Sequence, residues 1–509
     1  MGKRAALLGG LLAVTGLLVV SESCVGDSPA VTPDAGGNDA APDTGCPTGQ
    51  TTCGAACVDI KTDNANCGGC GKPCTGADKC SEGVCGGAKA IAIATGGYTA
   101  YAALASGSVW TWGFGEDAQL GVAPSDLTQV CSGFGVSKKC RAAPAPIAGL
   151  SDVQKIAASV NTACALKRDA SVWCWGNNAA GQLGHIAGSS GDILCGATAC
   201  NPKPTQVTIP TASAIAVGEN NACAVIAPSG DLYCWGNDDF GQTSGTLPAA
   251  KGGRLGPTKI PLPRPAQQVA GGSSFTCAVL DSGNVWCWGA NDIGNLGHAA
   301  GTAPDRAPCY GDGGAGIPCA PPSVVRDSNA VPFPVAGTLR LGSGIACAVS
   351  ANDTLWCWGN NDSGQFGATT PPDSPYPVKV PGNFIAADIG DSVCGVTAAS
   401  DVYCWSVNFL GAIGLGSTAP GAACSWDAFY HCLTPPTILP NLKARRVALG
   451  ASFALALTGE GRVWGWGMNH FGQAGHPPGT NGDVTNTTKS GNPGPVAMSP
   501  LEVQGLPIP

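Results

Sequence analysis

The chain has 509 residues, of which 76 are Gly and 40 are Pro, so more than a fifth of it is backbone punctuation and long helices are excluded. Hydrophobic residues reach 44%, which excludes wholesale disorder, while charged residues stop at 12%, so the surface must be largely Ser, Thr, Asn, Gly and backbone. Lys and Arg total 26 against 34 acidic residues, a net charge of -8. That balance lacks the cationic excess a phosphate backbone demands and excludes nucleic acid as a partner.

The N-terminus reads as an address. Lys3 and Arg4 precede an uncharged apolar stretch from Ala5 to Val20, short for a membrane span and followed by small residues, the pattern of a secretory signal over 1–23. Cys24 comes next, and Val20-Ser21-Glu22-Ser23-Cys24 resembles, with departures at Ser21 and Glu22, the site where bacterial lipoprotein precursors are cleaved and acylated. The expectation is lipidation at Cys24, with simple secretion or an uncleaved anchor as the alternatives, placing the protein in the cell envelope as an outer-membrane lipoprotein or outside the cell. Residues 24–45, rich in Ala, Gly, Pro, Asp and Thr, are expected to form a disordered tether.

The chain has 27 Cys. Eight fall in residues 46–86: Cys46, Cys53, Cys57, Cys67, Cys70, Cys74, Cys80 and Cys85. With few large apolar residues to bury, this segment is expected to be stapled by disulfides of undetermined connectivity. Cys67-Gly-Gly-Cys70 has zinc-like spacing, but neither a second such pair nor a nearby His completes a site, so no metal is expected.

From residue 87 onward one unit recurs. Its clearest copy holds Thr162-Ala-Cys164-Ala-Leu166, then Val172-Trp173-Cys174-Trp175-Gly176-Asn177-Asn178, then Gly181-Gln182-Leu183-Gly184. The second Trp of the unit recurs as Trp112, Trp175, Trp235, Trp288, Trp358, Trp405 and Trp466, which makes seven copies. Each reads as short strands divided by Gly, Asn and Asp turns, with period-2 alternation setting the paired aromatics on one strand face. Pro-x-x-Val or Pro-x-x-Ile segments at Pro144, Pro204, Pro257, Pro332, Pro375 and Pro435 mark an outer strand. A seventh, at Pro500, ends the chain, whereas the first unit has none before it. The predicted architecture is therefore an all-β, seven-bladed propeller over 87–509, sealed by the C-terminal strand lying in the same sheet as Ile93.

Cysteines inside the units co-vary. Cys164 with Cys174, Cys223 with Cys234, Cys277 with Cys287, Cys347 with Cys357 and Cys394 with Cys404 occupy two fixed positions, which become Tyr101 and Thr111 in the first unit and Leu455 and Gly465 in the last. They are predicted to face each other on adjacent strands as disulfides. Four more pairs fall in the long connections: Cys131 with Cys140, Cys195 with Cys200, Cys309 with Cys319, and Cys424 with Cys432.

The run V-W-x-W-G-x-N-x-x-G-Q-L-G after A-L resembles the repeat of the regulator of chromosome condensation family, whose members fold as seven-bladed propellers. Chains of this kind are also grouped with BNR or Asp-box repeats, although the nearest segment here, Ser350-Ala-Asn-Asp353-Thr-Leu-Trp356, departs from the Asp-box pattern. Family activities differ between members, so the resemblance implies fold, together with a mode of binding through loops that one secreted bacterial propeller of this type uses. Unit six lacks the Gly after its Trp, having Ser406, and its blade corner is the weakest expectation.

Chemistry is scarce. His185, His298 and His476 each follow a repeat's closing Gly and read as turn exits. No nucleophile elbow, zinc-protease motif or phosphate loop occurs, so no catalytic residue and no cofactor is assigned. The Asn237-Asp238-Asp239 and Asn360-Asn361-Asp362 clusters recur at one turn position, which favours side chains satisfying backbone over calcium. The binding candidates are Trp426, Asp427, Phe429, Tyr430 and His431, between Cys424 and Cys432, because rigid aromatics on a stapled loop suit recognition. The expected function is non-catalytic binding of a protein or glycan at the cell surface by a monomer, and the alternative is an envelope enzyme acting on polysaccharide or peptidoglycan.

Overall fold

A computed structural model describes residues 46–75, 78–246, 254–309, 316–335, 337–369, 371, 373–416, 422–424, 427–487 and 493–507. The signal segment, Cys24, the tether and Trp426 lie outside the described residues.

Seven antiparallel sheets follow one another along the chain, each the blade of a propeller. In blade 1 the strands Ala90–Thr95, Thr99–Leu104 and Val109–Phe114 run from the axis outward, and Val136–Pro146 lies outside them. The same order repeats down to blade 7, built from Arg446–Leu449, Phe453–Leu457, Val463–Met468 and Pro493–Glu502. Second strands such as Asn221–Ile226 and Phe275–Leu280 are buried at every position. A blade stacked on both faces needs this continuous apolar run rather than alternation.

The C-terminal strand does not complete the first blade. Pro493–Glu502 pairs with Val463–Met468, Trp464 opposite Glu502, as the outer strand of blade 7 itself. Blade 1 takes its outer strand from Val136–Pro146, Pro146 opposite Trp110. The physical reason is chain connectivity: a strand following its neighbour through one connection pairs at a smaller loop-closure cost than one recruited from the far end of the chain. In blade 4 the outer strand is Ile317–Val324, and Pro332 instead bridges Arg326 beyond it.

What closes the ring is packing. The second Trp of every blade is fully buried and its indole N–H donates to a backbone carbonyl of the preceding blade. Trp175 donates to Gln119 at 3.0 Å, Trp235 to Gln182 at 2.9 Å, Trp288 to Gln242 at 3.0 Å and Trp358 to Asn295 at 3.1 Å. Trp405 and Trp466 continue the series to Gln365 and Ala412. Trp112 of blade 1 completes it across the seam, to Gln473 of blade 7 at 3.1 Å. There Phe453, Leu455, Leu457, Val463 and Val503 share a core with Ala100, Ala102, Leu104 and Trp112, so the tail packs on blade 1 without joining its sheet.

The Gly after that Trp sits at a bulge with positive φ, for example +101° at Gly176 and +105° at Gly289. Blade 6 keeps the same bulge with Ser406 at φ +80°, fully buried and with its hydroxyl unpartnered. The corner survives the substitution under strain.

The five intrablade Cys pairs are disulfides between directly opposed residues of second and third strands, with Cα–Cα separations of 4.1 to 4.2 Å. That spacing belongs to the close, non-hydrogen-bonded pairs of an antiparallel ladder. Tyr101 faces Thr111 and Leu455 faces Gly465 at the equivalent places. In the N-terminal Cys-rich segment, disulfides join Cys53 to Cys70, Cys67 to Cys80 and Cys74 to Cys85 around two short hairpins. Cys46 and Cys57 are disulfide-bonded as well. The sulfurs of Cys67, Cys74 and Cys85 lie within 4.8 Å of one another, but all three are consumed in disulfides.

Candidate functional site

Because strands alternate in direction, the turn between first and second strands and the connection from third to outer strand emerge on the same face. On that face the described residues of blades 1, 2, 4, 6 and 7 carry a fifth strand, turning the connection into a raised hairpin. Four of these hairpins are pinned by disulfides: Cys131–Cys140, Cys195–Cys200, Cys309–Cys319 and Cys424–Cys432. The result is a crown of pre-ordered loops on a rigid wheel. Its blade 2 sector shows Ile186, 83% exposed, and Leu194, 75% exposed. Large apolar side chains so open to water are the kind of anchor a partner covers.

Three crown loops share one internal brace. Asn178 and His185 both bond Asp192, His185 Nε2 at 2.8 Å and Asn178 Nδ2 at 2.8 Å. Asn291, His298 and Asp305 repeat the arrangement, as do Asn469, His476 and Asp483. Each Asp also accepts a backbone N–H four residues earlier in the loop, at Gly188, Gly301 and Gly479. The three histidines are therefore loop staples. They stand at turn exits, as their position after a closing Gly implies, and the signal for their Asp partners is the double seven-residue spacing from Asn to His to Asp, which recurs three times. The Asn/Asp clusters likewise satisfy turns: Asn237 Oδ1 accepts from Gln242 at 2.8 Å, Asp238 Oδ1 from the Thr243 N–H at 2.8 Å, and Asn361 Oδ1 from the Phe366 N–H at 2.7 Å.

Of the proposed binding residues, Asp427 and Phe429 lie on the strand Asp427–Lys443, with Asp427 opposite Cys424. Tyr430 packs edge-on against Phe409 with ring centroids 5.0 Å apart, and the His431 carbonyl accepts the Asn408 N–H at 2.7 Å. This half of the loop is thus fastened to its own blade. A second aromatic group, unforeseen because its members lie far apart in sequence, spans the seam: Tyr98, Phe114, Phe134 and Phe471 stack with centroids 5.1 to 6.3 Å apart. His470 is fully buried beside Phe134 at 5.0 Å, with neither ring nitrogen partnered among the described residues, and burial pushes its pKa down.

The axis is a cavity of about 390 Å³ lined by the innermost strands of all seven blades. At the level facing the second-strand Cys positions the wall residues are Ala94, Ala157, Ala216, Ala270 and Ala448, interrupted by Arg340 and Asp388 in neighbouring blades 5 and 6. Arg340 Nε meets Asp388 Oδ1 at 3.1 Å. Desolvation raises the Asp388 pKa against the pull of Arg340. Desolvation also raises that of Asp391, which accepts the Ser452 hydroxyl at 2.7 Å. Charges breaking an Ala, Ile and Val pattern were legible in the sequence, but only the ring brings them onto one wall.

A wheel of seven blades with one face raised into hairpins defines the fold class, a seven-bladed β-propeller scaffold. Regulator of chromosome condensation (RCC1) repeats match residues 153–182, 212–242, 266–294, 340–365 and 444–473, and, in a longer form of the repeat, 106–166, 169–225 and 229–279. Within the propeller, residues 106–294, 340–365 and 444–473 are thus similar to RCC1 repeats. Residues 21–88 match the stigma-specific STIG1-like protein family. The E3 ubiquitin-protein ligase HERC2 of Homo sapiens is 26% identical over 308 residues, which cover 58% of this chain but 5% of that protein. The ultraviolet-B receptor UVR8 of Arabidopsis thaliana is 25% identical over 413 residues, 76% of this chain and 79% of the receptor. Among solved structures, yeast RCC1 (Prp20) with Kap60 superposes with a TM-score of 0.59 at 17% identity, covering 78% of this chain and 84% of that one.

Proposed function

We propose that this protein is an exported, non-catalytic display propeller, lipid-anchored through Cys24, that recognises a protein at the cell surface with its hairpin crown. The observation that carries the reading is the crown itself: hairpins from five blades, four of them locked by disulfides, all on one face. Ordering loops before contact lowers the entropic cost of association, and disulfides serve that purpose only in an oxidising compartment. The STIG1-like match over the Cys-rich segment supports the same compartment. Yeast RCC1 (Prp20), which shares this fold, has been solved with Kap60 bound, and protein recognition by this chain is in keeping with that.

A second reading, an envelope enzyme acting on polysaccharide or peptidoglycan, draws on the raised pKa values of Asp388 and Asp391. Both carboxylates, however, tie one blade to the next. The test uses the immobilised chain and envelope extract of the producing cells, with captured proteins identified by mass. A paired Ile186→Ser and Leu194→Ser variant that melts like the parent should lose the specific partner. Equal capture by parent and variant would remove the blade 2 sector from the interface, and a parent that enriches nothing would overturn the reading.

A further inference from the structure

The axial cavity carries a guanidinium that no hydrogen bond or ion pair engages among the described residues. Arg446 lies on the innermost strand of blade 7, two residues before Ala448, so both side chains face the channel by strand periodicity, and both line the cavity. Beside it, Asp388 is fully committed. Its Oδ1 holds Arg340 Nε at 3.1 Å and its Oδ2 accepts the Leu449 N–H at 2.9 Å. The other cations at this end are also engaged: Arg445 donates to the Ala90 carbonyl at 3.0 Å, Lys155 to the Ser213 carbonyl at 2.9 Å, and Arg340 Nη1 to its own Leu339 carbonyl at 2.9 Å. Arg446 alone of this group has no hydrogen-bond or ion-pair partner among the described residues. The channel acids Glu219 and Asp391 each lie one residue beyond the Gly that follows the innermost strand, at the crown end of the channel.

We propose that Arg446, flanked by Arg340, is an oxyanion site at the end of the channel opposite the crown, taking the carboxylate or phosphate group of a small molecule. A planar guanidinium with its donor edge open matches either group in bidentate geometry. The Ala-rich wall leaves room for the remainder of the molecule, and a cavity of this volume falls within the range of small-ligand sites. Burial, then the nearby Arg340 and Arg445 cations, hold the Arg446 pKa below its ordinary value against the smaller opposing pull of Asp388, and a bound anion relieves that repulsion. The site does not depend on the crown, and either can fail without the other.

The experiment is calorimetric titration of the full chain with inorganic phosphate and, separately, with acetate, against chloride at matched ionic strength. Saturable binding of one or both is expected. Arg446→Gln should weaken it at least tenfold, Arg446→Lys should retain part of it, and Arg264→Gln, which removes an exposed ion pair elsewhere, should leave it unchanged. Circular dichroism and melting of Arg446→Gln equal to the parent show that the loss is local. Phosphate binding without acetate binding assigns a phosphorylated molecule, and the reverse assigns a carboxylate. Absence of saturable binding by either anion, or equal binding by Arg446→Gln and the parent, would overturn the site.

Discussion

Replacing Trp112 by Ala should damage the protein as much as removing the same residue from any other blade, because the seam between blades 7 and 1 is built like the other junctions. Trp112 is fully buried, packs with Phe453, Leu455, Val463 and Val503, and donates its N–H to Gln473. Truncating a buried aromatic costs about 3–5 kcal/mol, and the abandoned Gln473 carbonyl adds about 1–3 kcal/mol where water cannot reach it. With partial relaxation the expected loss is about 4–6 kcal/mol. Trp235→Ala, whose indole bonds Gln182 in an internal junction, should lose the same within about 1 kcal/mol. Trp112→Phe separates the two contributions: ring volume is largely kept, the hydrogen bond goes, and about 1–3 kcal/mol should be lost. Guanidinium unfolding followed by far-ultraviolet circular dichroism under oxidising conditions measures all three. A Trp112→Ala variant within about 1 kcal/mol of the parent, beside a Trp235→Ala variant that loses 4 or more, would mean that the wheel is not closed by this junction.

Ser406→Gly should stabilise the protein by about 0.5–2 kcal/mol, read as a raised melting temperature, since it relieves a left-handed conformation and removes a buried unpaired hydroxyl. Burial lowers the folded-state pKa of His470 beneath its ordinary 6.5, so the unfolded chain binds the proton more readily. The stability that this residue permits is therefore complete above about pH 6.5 and declines as pH falls from there through the lower folded value. His470→Leu should flatten that acid limb in a pH series of unfolding midpoints, and an unchanged limb would place the sensitivity elsewhere. Asp192→Ala should expose the loop between His185 and Asp192 to limited proteolysis while the melting of the wheel changes little, because only the brace is lost. A Cys277→Ala, Cys287→Ala double variant should fold and lose about 2–3 kcal/mol, the loop-closure value for so short a span.

Repeat number, the three inner strands of each blade, the Cys pairs inside blades and those within the crown could all be read along the chain, because each depends on residues close together in sequence. A Cys ten positions from its partner across one turn faces it by ladder geometry alone. The recurring Trp was visible too, but its hydrogen bond was not, since the acceptor is a backbone carbonyl of the neighbouring blade and carbonyls carry no residue signature. The owner of the last strand was a tertiary matter of the same kind: the Pro-marked segments suggested that the C-terminal strand completes the first blade, whereas pairing through the shorter connection makes each blade contiguous. His470, the seam aromatics and the charges on the axial wall became neighbours only when the ring formed. Local periodicity determined the inner strands of each blade, whereas closure, which brings the first and seventh blades together, determined what lies at the seam and along the axis.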